Sequence, residues 1–182
     1  MMLLAFSVIN FSVYLPVTIG CILTHELGHV LMIKLNRQRI TAVEIMPIGV
    51  NITAGERLTS YKMDIAAALG GPILNIAHAA VLVFVIKTFG YNEILVFSAV
   101  LNMAYAVLNL FPVRSLDGGR VCFLALRCFM SESRAYLVSG IISGIFLGLL
   151  GIAAFFILMV TEYNFTLVLI FGYLFYTIYM RN

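Results

Sequence analysis

The run His25-Glu26-Leu27-Gly28-His29 puts two imidazoles and a carboxylate side by side. On a helix, positions four apart lie one turn apart on the same face. Both rings can then bind a single Zn2+ at about 2.0–2.1 Å. Glu26 follows the first ligand directly, where it can take a proton from a water activated at the metal. Residues 3–33 carry no other charge, counting histidine as neutral. An ionisable side chain at membrane depth is costly and therefore a functional candidate by default. The plainer readings are a satisfied polar cluster between helices or a structural metal.

A third ligand comes from far along the chain. The apolar run at 93–111 ends in Asn109-Leu110-Phe111-Pro112-Val113-Arg114-Ser115-Leu116-Asp117-Gly118-Gly119. Pro112 and the glycine pair break the helix, and a short second helix is expected from about 119 to 130. Taken alone, Asp-Gly-Gly is a turn or a helix cap as readily as a ligand. Broken helices persist in membranes where they line a protein or water-filled cavity, so Asp117 has a place to sit. His25, His29 and Asp117 supply three ligands and leave a fourth position for water, the mark of a catalytic zinc. One zinc per chain follows. Glu26 is then the base for hydrolysis of a peptide carbonyl, and Asn109 is a candidate donor to the oxyanion.

The elements that must position these groups are membrane helices. The 182-residue chain is 63 % hydrophobic and 10 % charged, with mean hydropathy +1.07, against about 25 % charged residues in soluble domains. The expectation is an all-α polytopic membrane protein with about five transmembrane helices, at 3–34, 63–86, 93–111, 135–160 and 165–180, the third kinked or broken. Pro16 offers a kink in the long first span. Gly70-Gly71-Pro72 can bend the second, where Asn75 and His78 share a face and suit interhelical hydrogen bonds. Gly140, Gly144, Gly148 and Gly151 form a small-residue face on the fourth. Tyr173, Tyr176 and Tyr179 look like an interfacial anchor on the fifth.

Residues 34–62 are too polar to span. Within them Ile40–Ile45 and Val50–Ala54 partly alternate around Pro47-Ile48-Gly49, which reads as a short β-hairpin-like loop at about 40–54. Its second strand is an edge that could hold a substrate segment extended. Gly49, Val50 and Asn51, with Asn75, are the candidate substrate contacts. Cys21, Cys122 and Cys128 make no metal-type pair and imply no disulfide framework. Cys21 lies one turn before His25, where packing is its expected role.

Of the 11 Lys and Arg residues, all but Lys87 fall at one face of such a bundle. Placing that face in the cytoplasm puts the N-terminus outside and the C-terminus inside. His29, five residues before Lys34, then lies roughly 7–8 Å below the cytoplasmic end, and Asp117 returns at the same depth. The net charge of +3 serves topology and does not argue for nucleic acid.

At these residues the chain resembles the site-2 protease family of intramembrane zinc metalloproteases. His25-Glu26-Leu27-Gly28-His29, the Asn109-x-x-Pro112-x-x-x-Leu116-Asp117-Gly118 pattern and Gly71-Pro72-x-x-Asn75 together cover about residues 10–130, the family's catalytic core. The resemblance implies a membrane-embedded protease domain over 1–182, with accessory helices at about 134–180, in a multi-pass bacterial cell membrane. It implies zinc on His25, His29 and Asp117, Glu26 as base, and Asn109 positioning the substrate or its oxyanion. The implied substrate is a membrane-associated or single-pass regulatory protein cut near the cytoplasmic face. The nearest branch is the sporulation-factor-processing one, here expected without its C-terminal CBS domain and without the PDZ insert of the stress-response branch.

Two other classes compete. A catalytically silent, zinc-stabilised membrane scaffold or pseudoprotease has no need of Glu26 between its ligands. A metal transporter would want ionisable residues along a full path, and away from the basic face the spans offer little beyond Glu93 and Glu162 at their ends.

Overall fold

The computed structural model describes residues 14–36, 40–46, 49–54, 61–161 and 166–179. In chain order these form α1 (Tyr14–Leu35), β1 (Ile40–Met46), β2 (Gly49–Ala54), α2 (Tyr61–Phe89), α3 (Glu93–Leu110), α4 (Asp117–Arg127), α5 (Glu132–Thr161) and α6 (Thr166–Tyr179). Four helices, α1, α2, α3 and α5, are long and apolar enough to cross a membrane. The described part of α6 is apolar and has 14 residues. The protein is an all-α polytopic membrane fold carrying one small hairpin.

α1 shows why this bundle assembles. Thr18, Cys21, His25, Gly28 and Ile33 form its buried stripe, while Ile19, Leu23, Leu27 and Leu31 are exposed at a spacing of four. The polar chemistry therefore faces inward and the aliphatic face is left for lipid. Pro16 stands in the first turn of the described helix, and the segment before it, which a kink there would set off, lies outside the described residues. The expected first turns, residues 3–13, lie outside the described residues, as do Pro47, Ile48, Arg37, Arg39, Arg57 and Arg181.

α1 and α2 meet backbone to backbone. A Cβ on Gly28 would collide with the Gly70 carbonyl oxygen, and one on Gly70 would collide with that of Gly28. Small residues at such a crossing let membrane helices approach closely. Beyond the crossing, the Asn75 amide points at Cys21 Sγ at 3.8 Å, and Thr24 Oγ1 is 3.4 Å from His78 Nδ1. α2 runs unbroken through Pro72, so the expected bend at Gly70-Gly71-Pro72 does not divide it.

The third apolar run is broken, as Pro112 and the glycine pair after it require. α3 starts on Asn92, whose side chain accepts hydrogen bonds from the Ile94 and Leu95 amides, a standard cap. It stops at Leu110. Phe111 is extended, which the following Pro112 favours sterically. The Val113 carbonyl then accepts the Leu116 amide at 2.8 Å, and α4 begins at Asp117, two residues earlier than the sequence suggests.

That turn is anchored rather than loose. Val113 is buried with Leu147 of α5 and Leu174 of α6, with Phe111, Leu116 and Phe146 around them. The Arg114 amide donates to Ser143 Oγ at 3.0 Å, and the Arg114 guanidinium to the Tyr136 carbonyl at 2.5 Å. α5 thus fixes the segment that delivers Asp117. The face it uses is Ala135, Ser139, Ser143 and Leu147. The expected glycine face is not one interface: Gly151 lies against Phe171 of α6, Gly140 against Arg114, and Gly148 has open space around it. On α6, Tyr173 packs against the Val113 cluster and Tyr176 is exposed.

β1 and β2 pair antiparallel, with Val43 opposite Ile52, Glu44 opposite Asn51 and Met46 opposite Gly49. The hairpin expected at 40–54 is present.

Candidate metal and catalytic site

His25 and His29 present their rings from α1 toward the start of α4. The Nε2 of His25 lies 2.9 Å from Asp117 Oδ2, and the Nε2 of His29 lies 3.3 Å from the same oxygen. The three ligand atoms fall within 4.8 Å of one another. A tetrahedral ion with bonds of about 2.0–2.1 Å sets its ligands roughly 3.3–3.4 Å apart, close to the His29–Asp117 spacing, and a small closure of the group would seat one small cation.

Three further observations fit a metal. His29 Nδ1 donates to the Ala67 carbonyl at 2.8 Å, which fixes the ring and leaves Nε2 to bind, the usual arrangement behind a ligating histidine. His25 Nδ1 is buried and has no hydrogen-bond partner among the described residues, so that ring's polar contact is made through Nε2. Gly71 of α2 lies over both rings: a Cβ there would stand 2.5 Å from His29 Nε2 and 2.7 Å from His25 Nε2. Glycine keeps the space in front of the two ligand nitrogens clear.

Asp117 belongs to the short helix between spans and opens its first turn, where a carboxylate also suits the helix dipole. Burial alone would push its carboxyl up, but the His25 and His29 contacts outweigh it and hold the group below the ordinary carboxylate value. It stays an anion, as a ligand must.

Glu26 follows His25 on α1 and is half-buried. It lies on α1 between the two histidines, with one carboxylate oxygen buried. Tyr105 of α3 packs its ring edge-on against His25, with centroids 4.8 Å apart and planes at 80°. The sequence reading missed it, because a tyrosine in an apolar span looks like ordinary packing. Asn109 lies one turn further along α3 and spends one amide hydrogen on the Tyr105 carbonyl at 3.0 Å. The Asn109 side chain also hydrogen-bonds the Tyr105 side chain, so its amide is engaged twice at that residue.

The candidate substrate contacts divide. Gly49, Val50 and Asn51 are on β2, paired with Met46, Ile45 and Glu44 of β1. Asn75 is fully buried between α1 and α2. That is the position of an interhelical hydrogen-bonding group, and it gives a substrate no direct access. Cys21 is buried against Asn75 and lies outside the ligand group.

No protein-family model matches the chain. A zinc metalloprotease from the archaeon Methanocaldococcus jannaschii is 26 % identical across 75 % of this chain and 41 % of its own length. The chain therefore spans about two fifths of that relative. The solved structure of the site-2 protease from the same organism superposes with a TM-score of 0.66, at 23 % identity, covering 94 % of this chain and 81 % of that one. The fold is that of a site-2 protease.

Proposed function

We propose that the chain is an intramembrane zinc metalloendopeptidase of the site-2 protease family. Its substrate is a membrane-associated or single-pass protein, cut near the membrane face that carries the arginines and lysines. That face is cytoplasmic, with the N-terminus outside and the C-terminus inside. The observation that carries the reading is the meeting of His25, His29 and Asp117, with the two partners of the His25–Asp117 contact 92 residues apart in sequence.

His25 Nε2, His29 Nε2 and an Asp117 oxygen would hold the ion. When bound, zinc polarises a carbonyl and lowers the pKa of water to about 7. The chain's own groups do the rest. Glu26 accepts the attacking water's proton and delivers it to the leaving amine. Asn109 gives an amide hydrogen to the oxyanion in place of its contact with the Tyr105 side chain. Ala67 holds His29 in its binding tautomer, and Tyr105 limits the swing of His25. The β2 strand, at Gly49, Val50 and Asn51, supplies main-chain partners for a substrate drawn out as a strand. Peptide bonds in a helix are shielded by their own hydrogen bonds, so extension is a requirement of cleavage rather than a convenience.

A silent zinc scaffold would share the three ligands but not the need for Glu26. Co-expression with candidate single-pass proteins separates the two. Wild type yields a new terminus that can be mapped, and Glu26→Gln yields none. Equal processing by both would end the protease reading.

A further inference from the structure

Away from the histidines, a cavity of about 520 Å³ opens where the turn after α3, α4, α5 and α6 come together. Arg114, Ser115, Arg120, Ser139 and Thr177 give it a polar lining, and Phe123 and Ile178 an apolar wall. Its volume is that of a small-molecule site. Neither arginine has a carboxylate partner among the described residues, where the ion pairs are those of His25, His29 and Arg127.

Arg114 is held in place without being neutralised. Its guanidinium sits 3.9 Å over the Tyr136 ring, and Nη2 donates to the Tyr136 carbonyl. Its Nε is buried with no acceptor among the described residues. The Ser139 and Thr177 hydroxyls give their protons to the Tyr136 and Tyr173 carbonyls, which leaves the two arginines and Ser115 as donors. A fixed guanidinium with a donor to spare, beside a second arginine, suits an anion with several oxygens, and phosphate above all.

The place selects the source of that phosphate. The cavity lies at the end of the bundle where α3 stops and α5 starts, the end that also bears Arg127 and Arg134. Basic pockets between membrane helices on such a face hold lipid headgroups. Phe123 and Ile178 offer a surface that an acyl chain uses and that a soluble anion does not. We propose that this cavity binds the phosphate headgroup of an anionic phospholipid, with Arg114 as the fixed clamp and Arg120 as the exposed second cation. Ser115 and Gly119 stand two residues on either side of Asp117, so a seated headgroup bears on the turn that carries the candidate ligand.

The test is lipid competition, which does not depend on whether the chain cleaves anything. Purified full-length protein in detergent is loaded with equimolar phosphatidylglycerol and phosphatidylcholine, and the first bound lipid is counted by native mass spectrometry. Wild type should prefer phosphatidylglycerol by roughly five- to thirtyfold, the range that one to two basic residues contribute at a membrane surface. Arg120→Gln, at an exposed position that folding tolerates, should lower the preference severalfold. Arg127→Gln removes the same charge from the same face but outside the cavity, where Arg127 pairs with Glu132 at 2.9 Å, and should leave the preference unchanged. Equal binding of the two lipids, or an Arg127→Gln effect as large as that of Arg120→Gln, overturns the proposal. Displacement of the phosphatidylglycerol by inorganic phosphate assigns the cavity to a soluble anion and overturns the lipid source.

Discussion

Gly71 of α2 faces His29 of α1 so closely that a methyl group on its Cα would stand 2.5 Å from the ring's Nε2. The same methyl would reach His25. Gly71→Ala therefore fills the space in front of both nitrogens. Alanine is also the better helix former by about 1 kcal/mol, so α2 itself does not suffer. The expected outcome is a loss of zinc affinity on the order of 100-fold, the upper range for disturbing the groups around a metal, with helix content retained. Competition with a chelating dye, alongside circular dichroism, checks both halves.

Gly28 and Gly70 make the contrasting case, because there the obstacle is backbone. A Cβ on Gly28 meets the Gly70 carbonyl, which cannot swing aside as a ring can. Gly28→Ala should force α1 and α2 apart and cost roughly 1–3 kcal/mol, as overpacking does. The thermal midpoint in detergent should fall even in excess chelator, which separates this effect from metal loss.

Tyr105 tests whether aromatic packing behind a ligand matters. Its ring meets His25 edge-on at 4.8 Å. Tyr105→Phe keeps that contact and should retain zinc. Tyr105→Ala removes it and should weaken zinc binding by about 10- to 100-fold. If the two variants bind alike, the ring does not position His25.

Glu26→Gln keeps the shape of the side chain and removes the base. Cleavage should fall by at least ~10²–10⁴-fold, the usual contribution of a positioned proton carrier, while zinc content stays at the wild-type level. A Glu26→Gln protein that loses its zinc would place Glu26 among the groups that hold the ion instead.

Much of this arrangement was legible before any coordinates. The spacing of His25 and His29 fixes a shared helix face, and Pro112 with the glycines fixes a broken third span, because both follow from local backbone geometry. The hairpin at 40–54 follows from alternation for the same reason. What escaped was what depends on another element. Tyr105 reads as apolar filler until α3 is laid against α1. Gly71 reads as part of a bend, whereas α2 passes through Pro72 intact and Gly71 instead clears the space before two imidazoles. Arg114 reads as a topological charge, and only its bond to Tyr136 reveals that it helps to anchor the Asp117 turn. Asn75 carries two readings in the sequence, an interhelical hydrogen bond and a substrate contact, and its full burial against Cys21 of α1 accords with the first.

The central claim is that one zinc ion is held by two histidines of α1 and the aspartate that opens α4. X-ray absorption at the zinc edge, on metal-loaded protein with its zinc content measured, tests this most directly. The account predicts about one zinc per chain, two imidazoles and oxygen donors at about 2.0–2.1 Å, and loss of an oxygen donor or of the zinc itself in Asp117→Ala. A sulfur ligand from Cys21, a coordination shell indifferent to Asp117→Ala, or a folded wild-type protein that takes up no zinc would contradict it.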